Sequence, residues 1–235
     1  MAKRNALIIA LLLSVTSASV WAEPSLHGTS GGLSVPTTDI IPTASLAAST
    51  SAVWIDRQGE TKDNLWYSLN YGLLPRVEAG FSYVSYRSRR AQDLLFHCKW
   101  QALPQAGLRP AVAFGAVDVV GELTDDPSAY VVIGGVVWAP KDPFSGEPTT
   151  PLRAHLGIGT GIYGDAPFAA LDWSIHPRIK LLVEWQKNLS LGTGQYLYNV
   201  GAQFTVGSGF TLDAGALDMR YPSVGISYRA DNLGF

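Results

Sequence analysis

The sequence predicts an all-β protein, an antiparallel up-and-down transmembrane β-barrel of about 12 strands. A hairpin pattern occurs twice, because apolar and polar residues alternate on both sides of Pro75-Arg76 and again on both sides of Pro177-Arg178. An export signal precedes these hairpins, and the candidate strands have roughly the 9–11 residues with which a tilted strand crosses a bilayer. Strands with one apolar and one polar face behind an export signal are typical of a barrel with lipid outside and polar groups inside.

Residues 1–22 are predicted to be a signal peptide. Two basic residues precede an apolar run over 6–13, and Val20-Trp21-Ala22 supplies small side chains at the positions that a signal peptidase requires. Cleavage is therefore expected before Glu23. The run is too short to span a bilayer as a helix. An uncleaved amino-terminal helix is the alternative interpretation.

The composition narrows the class of protein. Hydrophobic residues make up 47% of the chain and charged residues 15%, with 24 glycines, which suits a secreted all-β domain or an outer-membrane barrel. Without Lys3 and Arg4, 15 basic residues face 19 acidic ones and no basic run is present, so nucleic acid is excluded as a partner. Because Cys98 is the single cysteine, no intramolecular disulfide can form.

After the signal, the chain divides into a leader and a barrel. The leader, residues 23–42, is Gly- and Ser-rich at first and is expected to lie in the periplasm or to pack in the barrel interior. Whether it forms a strand, a plug or a tether is left open by the sequence. The barrel is expected to occupy 43–235. Its candidate strands are 43–56, 64–73, 76–87, 93–102, 110–119, 129–139, 152–163, 167–175, 178–187, 195–206, 209–219 and 222–230.

The connections between these strands alternate in length, as they do in outer-membrane barrels with short periplasmic turns. Counting from 43–56, four of the five periplasmic connections are short. The fifth, 141–151, is long and proline-rich, so it is either an exception or the sign of a miscounted strand.

One phase of the alternation carries the polar groups and is predicted to face the barrel interior, the lumen. The predicted lumen-facing residues are Asn70, Glu78, His97, Lys99, Arg153, His155, Asp172, Lys180, Glu184, Asn199, Gln203 and Asp213.

Tryptophans fall in or near strand ends or on the outward phase, where an interfacial aromatic girdle would lie. The predicted girdle consists of Trp54, Trp66, Trp100, Trp138, Trp173 and Trp185. The alternative is that these tryptophans form the core of a soluble β-sandwich.

Several segments, in the same order, resemble the YjbH-like outer-membrane β-barrel family, which is associated with bacterial exopolysaccharide production. The matching segments are GTSGGLSVPTTDIIPTASLA at 28–47, LPRVE at 74–78, RPAVAFGAVD at 109–118, AYVV at 129–132, LGIGTG at 156–161 and LVEW at 182–185. The chain is similar to a short, single-barrel member. The resemblance implies an outer-membrane location, contact with outer-membrane lipid, and polysaccharide or envelope proteins as partners.

No enzyme is expected. The sequence has no G-x-S-x-G motif, and the glycines at 157–161 lie in an alternating strand without the following helix and lysine of a nucleotide-binding loop. His97 and His155 are isolated, and the acidic residues near them are not at the spacings of metal ligands. We therefore assign no catalytic, cofactor-binding or metal-ligating residue.

These observations favour a non-enzymatic barrel that is accessory to exopolysaccharide production or export, with inner charges that pair across the lumen. Glu78 with Lys99, and Asp172 with Lys180, are the expected pairs. One alternative is a passive channel for small polar solutes, in which case the mixed charges argue against strong ion selectivity. A second alternative is a soluble secreted β-sandwich that binds a ligand.

Overall fold

A computed structural model describes residues 22–57, 60–86, 91–123, 125–144, 149–187 and 196–233. The predicted signal peptide lies outside the described residues except for Ala22. Two short strands lie in the leader, β1 (Glu23–Pro24) and β2 (Ser30–Gly31). The longer strands that follow are β3 (Leu46–Arg57), β4 (Glu60–Leu74), β5 (Val77–Tyr86), β6 (Ala91–Leu103), β7 (Ala111–Val117), β8 (Ser128–Trp138), β9 (Leu152–Gly159), β10 (Ala166–His176), β11 (Ile179–Lys187), β12 (Tyr196–Thr205), β13 (Phe210–Leu217) and β14 (Tyr221–Ala230).

Strands β3 to β14 form one closed antiparallel barrel. Each strand pairs with its neighbours in the chain, and β14 pairs with β3 to close the ladder. The predicted barrel of about 12 strands is confirmed, and the β-sandwich alternative is wrong, because a sandwich needs two separate sheets. Among the described residues, no helix is long and apolar enough to cross a membrane.

The two ends of the barrel differ in their connections. We call the end where β3 begins and β14 finishes the near end, and the opposite end the far end. The near end has the tight turns Pro75-Arg76 and Pro177-Arg178. The connection from β8 to β9 also lies there, and it is an exception to the rule of short turns, because β8 and β9 pair directly and leave no place for a missed strand.

Both Pro-Arg hairpins have a one-residue register shift just before the turn, between Gly72 and Leu74 and between Ser174 and His176. The repeat in the sequence therefore corresponds to a repeat in structure. The turns themselves differ, because Arg76 has a φ of 69° whereas Arg178 has no positive φ. Proline followed by a residue with positive φ is the arrangement of a type II turn, in which glycine is favoured at the residue after the proline.

Arg76→Gly is expected to stabilise the barrel by about 1 kcal/mol. An L-residue in the left-handed region costs about 1–2 kcal/mol, and the greater freedom of glycine in the unfolded chain cancels part of the gain. The free energy of unfolding from urea titration measures the change. Arg178→Gly is the matched control, and it should destabilise the barrel by about 0.5–1 kcal/mol. Equal effects at both positions would contradict this account of the turn.

Two predicted strands end earlier than expected. The candidate strand 152–163 stops at Gly159, and Gly161–Tyr163 forms a 3₁₀ turn instead. Gly161 and Gly164 both have positive φ, so the chain bends there and turns Ile162 and Tyr163 into the barrel. Strand 209–219 stops at Leu217, because Asp218 and Met219 both have positive φ and lie in the three-residue turn 218–220 that joins β13 to β14.

The outward face of the barrel is apolar. Alternate side chains such as Phe96, Leu156, Ile158, Val183 and Tyr198 are exposed around the wall. The aromatic residues near the strand ends follow the same face. Trp100, Trp138 and Trp173 are exposed towards the near end of their strands, and Trp54 and Trp185 are half-buried towards the far end.

Trp66 is a correction to the predicted girdle. Its side chain is only 5% exposed and belongs to the interior cluster of apolar residues. On β4 it shares the inward phase of Asn64, Ser68 and Asn70, all of which are buried. The physical reason is that the leader brings a partner for the indole into the lumen: the rings of His27 and Trp66 are 5.5 Å apart, edge to face.

The leader lies inside the barrel. Residues 22–37 are buried with the exception of Gly31, which is half-buried. β1 and β2 pair antiparallel, so the leader folds back on itself within the lumen. Its first residue, Glu23, contacts the near ends of β13 and β14, and its last residue precedes β3, so it both enters and leaves at the near end.

Candidate functional site

The interface between the leader and the barrel wall is the candidate functional site, because the buried polar groups of the protein meet there. The first anchor is Glu78 on β5. Its carboxylate accepts hydrogen bonds from the backbone N–H groups of Ser30 and Ile41, both at 2.9 Å, and from the Ser30 hydroxyl. Lys99, opposite Glu78 on β6, lies 3.4 Å from the same carboxylate and donates to the Ser30 carbonyl oxygen at 2.6 Å.

The second anchor is Glu184 on β11. Its carboxylate accepts the N–H groups of Leu33 at 2.6 Å and of Ser34 at 3.1 Å, and the Ser34 hydroxyl at 2.8 Å. Asn199, opposite on β12, donates to the same carboxylate at 3.0 Å and to Ser34 Oγ at 2.7 Å. Consecutive backbone N–H groups aimed at one carboxylate hold the leader in a single position.

An ion pair joins the leader to β9 close to the near end. The Arg153 guanidinium donates to both carboxylate oxygens of Asp39, at 2.5 and 2.6 Å. Burial alone would raise the pKa of Asp39, but the neighbouring Arg153 outweighs burial and holds that pKa below its usual range. The carboxylate is therefore charged at neutral pH. Asp172 on β10 lies 4.0 Å from Arg153 and 3.1 Å from His155.

A glycine lets the leader approach the wall at β4 and β6. Asn70 donates to the carbonyl oxygen of Gly28 and accepts from the His97 ring. Gly28 has a φ of 98°, and a Cβ at this position would collide with Ser82 and with the His97 ring. Only glycine satisfies both the backbone conformation and the close contact.

Apolar packing completes the interface. Leu33 lies over Gly201 and Gly215, which are inward positions without side chains on β12 and β13. A Cβ built on Gly201 would lie 2.8 Å from Leu33 Cδ1. Val35 packs with the buried aromatic side chains around Phe168. The glycines of the wall therefore form the cavity that the leader fills.

His27 lies deepest in the leader, between Trp66 and Tyr163. The Tyr163 ring is 6.2 Å away, and Nδ1 of His27 donates to the Ser34 carbonyl oxygen at 2.9 Å. Burial lowers the pKa of His27 to about 4, against smaller opposing effects of the Ser34 bond and of Asp118. His27 is therefore neutral when the leader is docked.

Acid is expected to weaken the docked leader through His27. An exposed histidine has a pKa near 6.5, whereas the pKa of docked His27 is about 4. The contribution of docked His27 to the free energy of unfolding is therefore complete above pH 6.5 and is lost as the pH falls towards 4. Between pH 7.5 and 4.5 the loss is about 2–3 kcal/mol. Urea titrations at both pH values measure it. In the His27→Asn variant, which retains a donor for Ser34, the free energy of unfolding should depend less on pH. An unchanged pH dependence would contradict the role of His27.

Most of the predicted lumen-facing residues are buried inside the barrel. Lys180 and Asp213 are half-buried, nearer the near end. The expected pair of Glu78 with Lys99 is present, but the expected pair of Asp172 with Lys180 is replaced by contacts of Asp172 with His155 and Arg153. The buried members are Asn70, Glu78, His97, Lys99, Arg153, His155, Asp172, Glu184, Asn199 and Gln203.

Sequence reasoning missed the leader's own contribution to the site. Ser30, Ser34 and Asp39 bind the wall charges, and no period of two marks them because the leader is not a long strand. Gln186 was also missed. It is fully buried and donates to Ser34 Oγ at 2.5 Å, and its position two residues after Glu184 on the same strand face could have revealed it.

The chemistry available at this interface is hydrogen bonding and ion pairing. The Ser82 hydroxyl bonds the Ser68 hydroxyl at 3.0 Å, and His97 bonds Asn70, with all of these side chains buried against the leader. Among the described residues, no group of three or more His, Cys, Asp or Glu side chains could hold a metal ion. The arrangement is suited to holding the leader in the lumen.

Comparisons with known proteins give distant structural likenesses. No family model matches the chain, and no curated protein matches it. The outer membrane protein Omp33 of Acinetobacter baumannii is similar over 79% of this chain and 97% of its own, with 8% identity and a TM-score of 0.44. The outer membrane phospholipase A of Escherichia coli is similar over 82% of this chain and 98% of its own, with 11% identity and a TM-score of 0.39. At such values the likeness does not extend to function.

Proposed function

We propose that this protein is an outer-membrane β-barrel closed by its own amino-terminal leader, and that it serves the bacterial envelope as a non-enzymatic accessory of exopolysaccharide production or export. The observation that carries the proposal is the leader held inside the lumen by Glu78 and Glu184. A lumen filled in this way does not conduct while the leader stays docked. A closed barrel acts through its position in the membrane and its contacts.

The membrane location is supported by the distribution of side chains on the wall. Large apolar side chains point outward around the barrel, and charged ones point inward. Water on the outside would make this arrangement costly, whereas lipid makes it favourable. The predicted signal peptide supports export, and exposed tryptophans such as Trp100 and Trp138 support contact with the interfacial region of a bilayer.

The exopolysaccharide role is supported by the ordered sequence segments that resemble YjbH-like proteins, such as those at 28–47 and 109–118. The first of these segments forms most of the leader, including the residues that bind Glu78 and Glu184. In this proposal the partners are a polysaccharide or envelope proteins, which contact the protein at the near or far end of the barrel.

Two experiments test the proposal in sequence. Cells that make the full chain are fractionated, and the outer-membrane fraction is run on gels with and without boiling. A folded barrel should appear in that fraction and change mobility on heating. Cells without the gene are then compared with complemented cells for the amount of surface polysaccharide. A protein found in the aqueous fraction overturns the location, and unchanged polysaccharide in both strains overturns the accessory role.

A further inference from the structure

We propose that the leader is a displaceable gate, and that the lumen it vacates is a conduit for small polar solutes of low net charge. This inference rests on the proposed membrane location and adds a second activity to the accessory role. It follows from the width of the barrel, the pairing of charges within the wall, and the position of the ion pair that holds the leader.

The barrel is wide enough to need the leader as filler. A barrel of about 8 strands is filled by its own side chains, whereas about 16–18 strands leave an aqueous channel. This barrel has twelve strands, and several inward positions are small, among them Ser68, Gly80, Ser82, Gly201 and Gly215. Removing the leader would therefore leave a continuous cavity that water can enter.

The wall charges that bind the leader also have partners within the wall. Lys99 faces Glu78 directly across two strands, at 3.4 Å. Asp172 has His155 at 3.1 Å, and Glu184 has the Asn199 amide at 3.0 Å. An emptied lumen would keep these pairs, and water would solvate the groups that lose a leader contact, Arg153 and Glu184 among them.

The leader is fastened at its exit by a contact that solvent can reach. The Asp39 side chain is 19% exposed, and its bidentate pair with Arg153 lies close to the near end, where the leader joins β3. Breaking this pair removes the charged contact that holds the last part of the leader, without touching the barrel ladder. Asp39 and Arg153 are therefore the latch of the gate.

The lining sets the class of solute. The wall carries charges of both signs, namely Lys99, Arg153 and Lys180 together with Glu78, Asp172, Glu184 and Asp213. Positive and negative groups that nearly balance give weak ion selectivity. Uncharged or zwitterionic polar molecules, such as small sugars, are the solutes that fit such a lining.

Conductance of the purified full chain in planar bilayers with potassium chloride tests the inference. All variants carry Cys98→Ser, and each sample is first checked for folding by its heat-dependent mobility. Asp39→Asn should raise the open probability by about tenfold or more, because a charge-assisted contact of the leader is lost. Asp231→Asn is the matched control. It breaks another Arg–Asp pair at the near end, in which Arg229 belongs to β14 and Asp231 follows that strand, and it should leave the open probability unchanged.

A disulfide lock separates leader movement from other causes of conductance. Leu33→Cys with Gly201→Cys joins the leader to β12, since the Cβ built on Gly201 lies close to Leu33. Added to Asp39→Asn, the oxidised lock should abolish the currents, and a reductant should restore them. Ala214→Cys with Val224→Cys, which joins β13 to β14 on the outward face of the wall and away from the leader, should not close the pore.

The outcomes decide between the two proposals. Currents that persist through the oxidised leader lock would overturn the gate. Absence of current from Asp39→Asn protein that is folded and inserted would overturn the gate and leave the accessory barrel intact. A reversal potential close to zero in a salt gradient, together with swelling of dextran-loaded liposomes in isotonic glucose, is the expected result for the solute class, and strong cation or anion selectivity would contradict it.

Discussion

Glu184→Ala is expected to lower the free energy of unfolding by about 3–6 kcal/mol. The carboxylate accepts the N–H groups of Leu33 and Ser34 and the Ser34 hydroxyl, and each buried donor left without an acceptor costs about 1–3 kcal/mol. Urea titration of the refolded protein measures the loss. The docked leader should also become accessible, so a cysteine introduced at Ser25, which is buried, should react faster with a polar maleimide in a Cys98→Ser background.

Glu122→Ala is the matched control for this substitution. Its carboxylate also accepts a backbone N–H group, that of Leu94 at 2.8 Å, but the contact is exposed at the far end. Water replaces an exposed acceptor, so the cost should stay below about 1 kcal/mol. A similar loss for both variants would show that Glu184 contributes no more than a surface carboxylate and would contradict its role as an anchor of the leader.

Glu78→Gln is expected to cost about 3–5 kcal/mol, because it leaves the buried Lys99 ammonium without its carboxylate partner. Lys99→Met removes the other charge of the pair. The double variant should be less destabilised than the sum of the two single variants by about 1–3 kcal/mol, since neither charge then remains unpaired. The free energies of unfolding of the four proteins, measured in urea, give this coupling energy.

A surface pair provides the comparison for the cycle. Asp218 and Arg220 lie 3.8 Å apart in the turn between β13 and β14, and the Arg220 side chain is 75% exposed. The cycle of Asp218→Asn and Arg220→Met should give a coupling of about 0–1 kcal/mol. If the buried and exposed pairs couple equally, Glu78 and Lys99 do not act as a desolvated pair.

The barrel could be predicted because alternation is a local signal. In β10 and β11 one phase is apolar around the hairpin, and the charged residues Asp172, Lys180 and Glu184 lie on the other phase, so the sequence itself indicates which side faces outward. The same signal predicts the inward placement of Glu78 and Lys99 and their pairing. It also predicts the twelve strands, since the lengths of the connections alternate between the two ends.

The contents of the lumen could not be predicted in the same way. The leader has no regular period, and its backbone donors bind Glu78 and Glu184, which are distant in sequence. Trp66 shows the consequence. A tryptophan in a strand fits a lipid interface from its residue type alone, but the alternation that Trp66 shares with Asn70 places it inward, where His27 of the leader contacts its indole.

The closure of the ladder between β14 and β3 also has a consequence for the order of assembly. The Ser227 hydroxyl donates to Glu23, which lies 204 positions earlier in the chain, so this contact can form only after nearly the whole protein has been made. Contacts between such distant residues form late, because the loop that joins them must close first. We therefore expect the leader, which is made before the barrel strands, to be the last segment to find its place, inside a wall that is already curved.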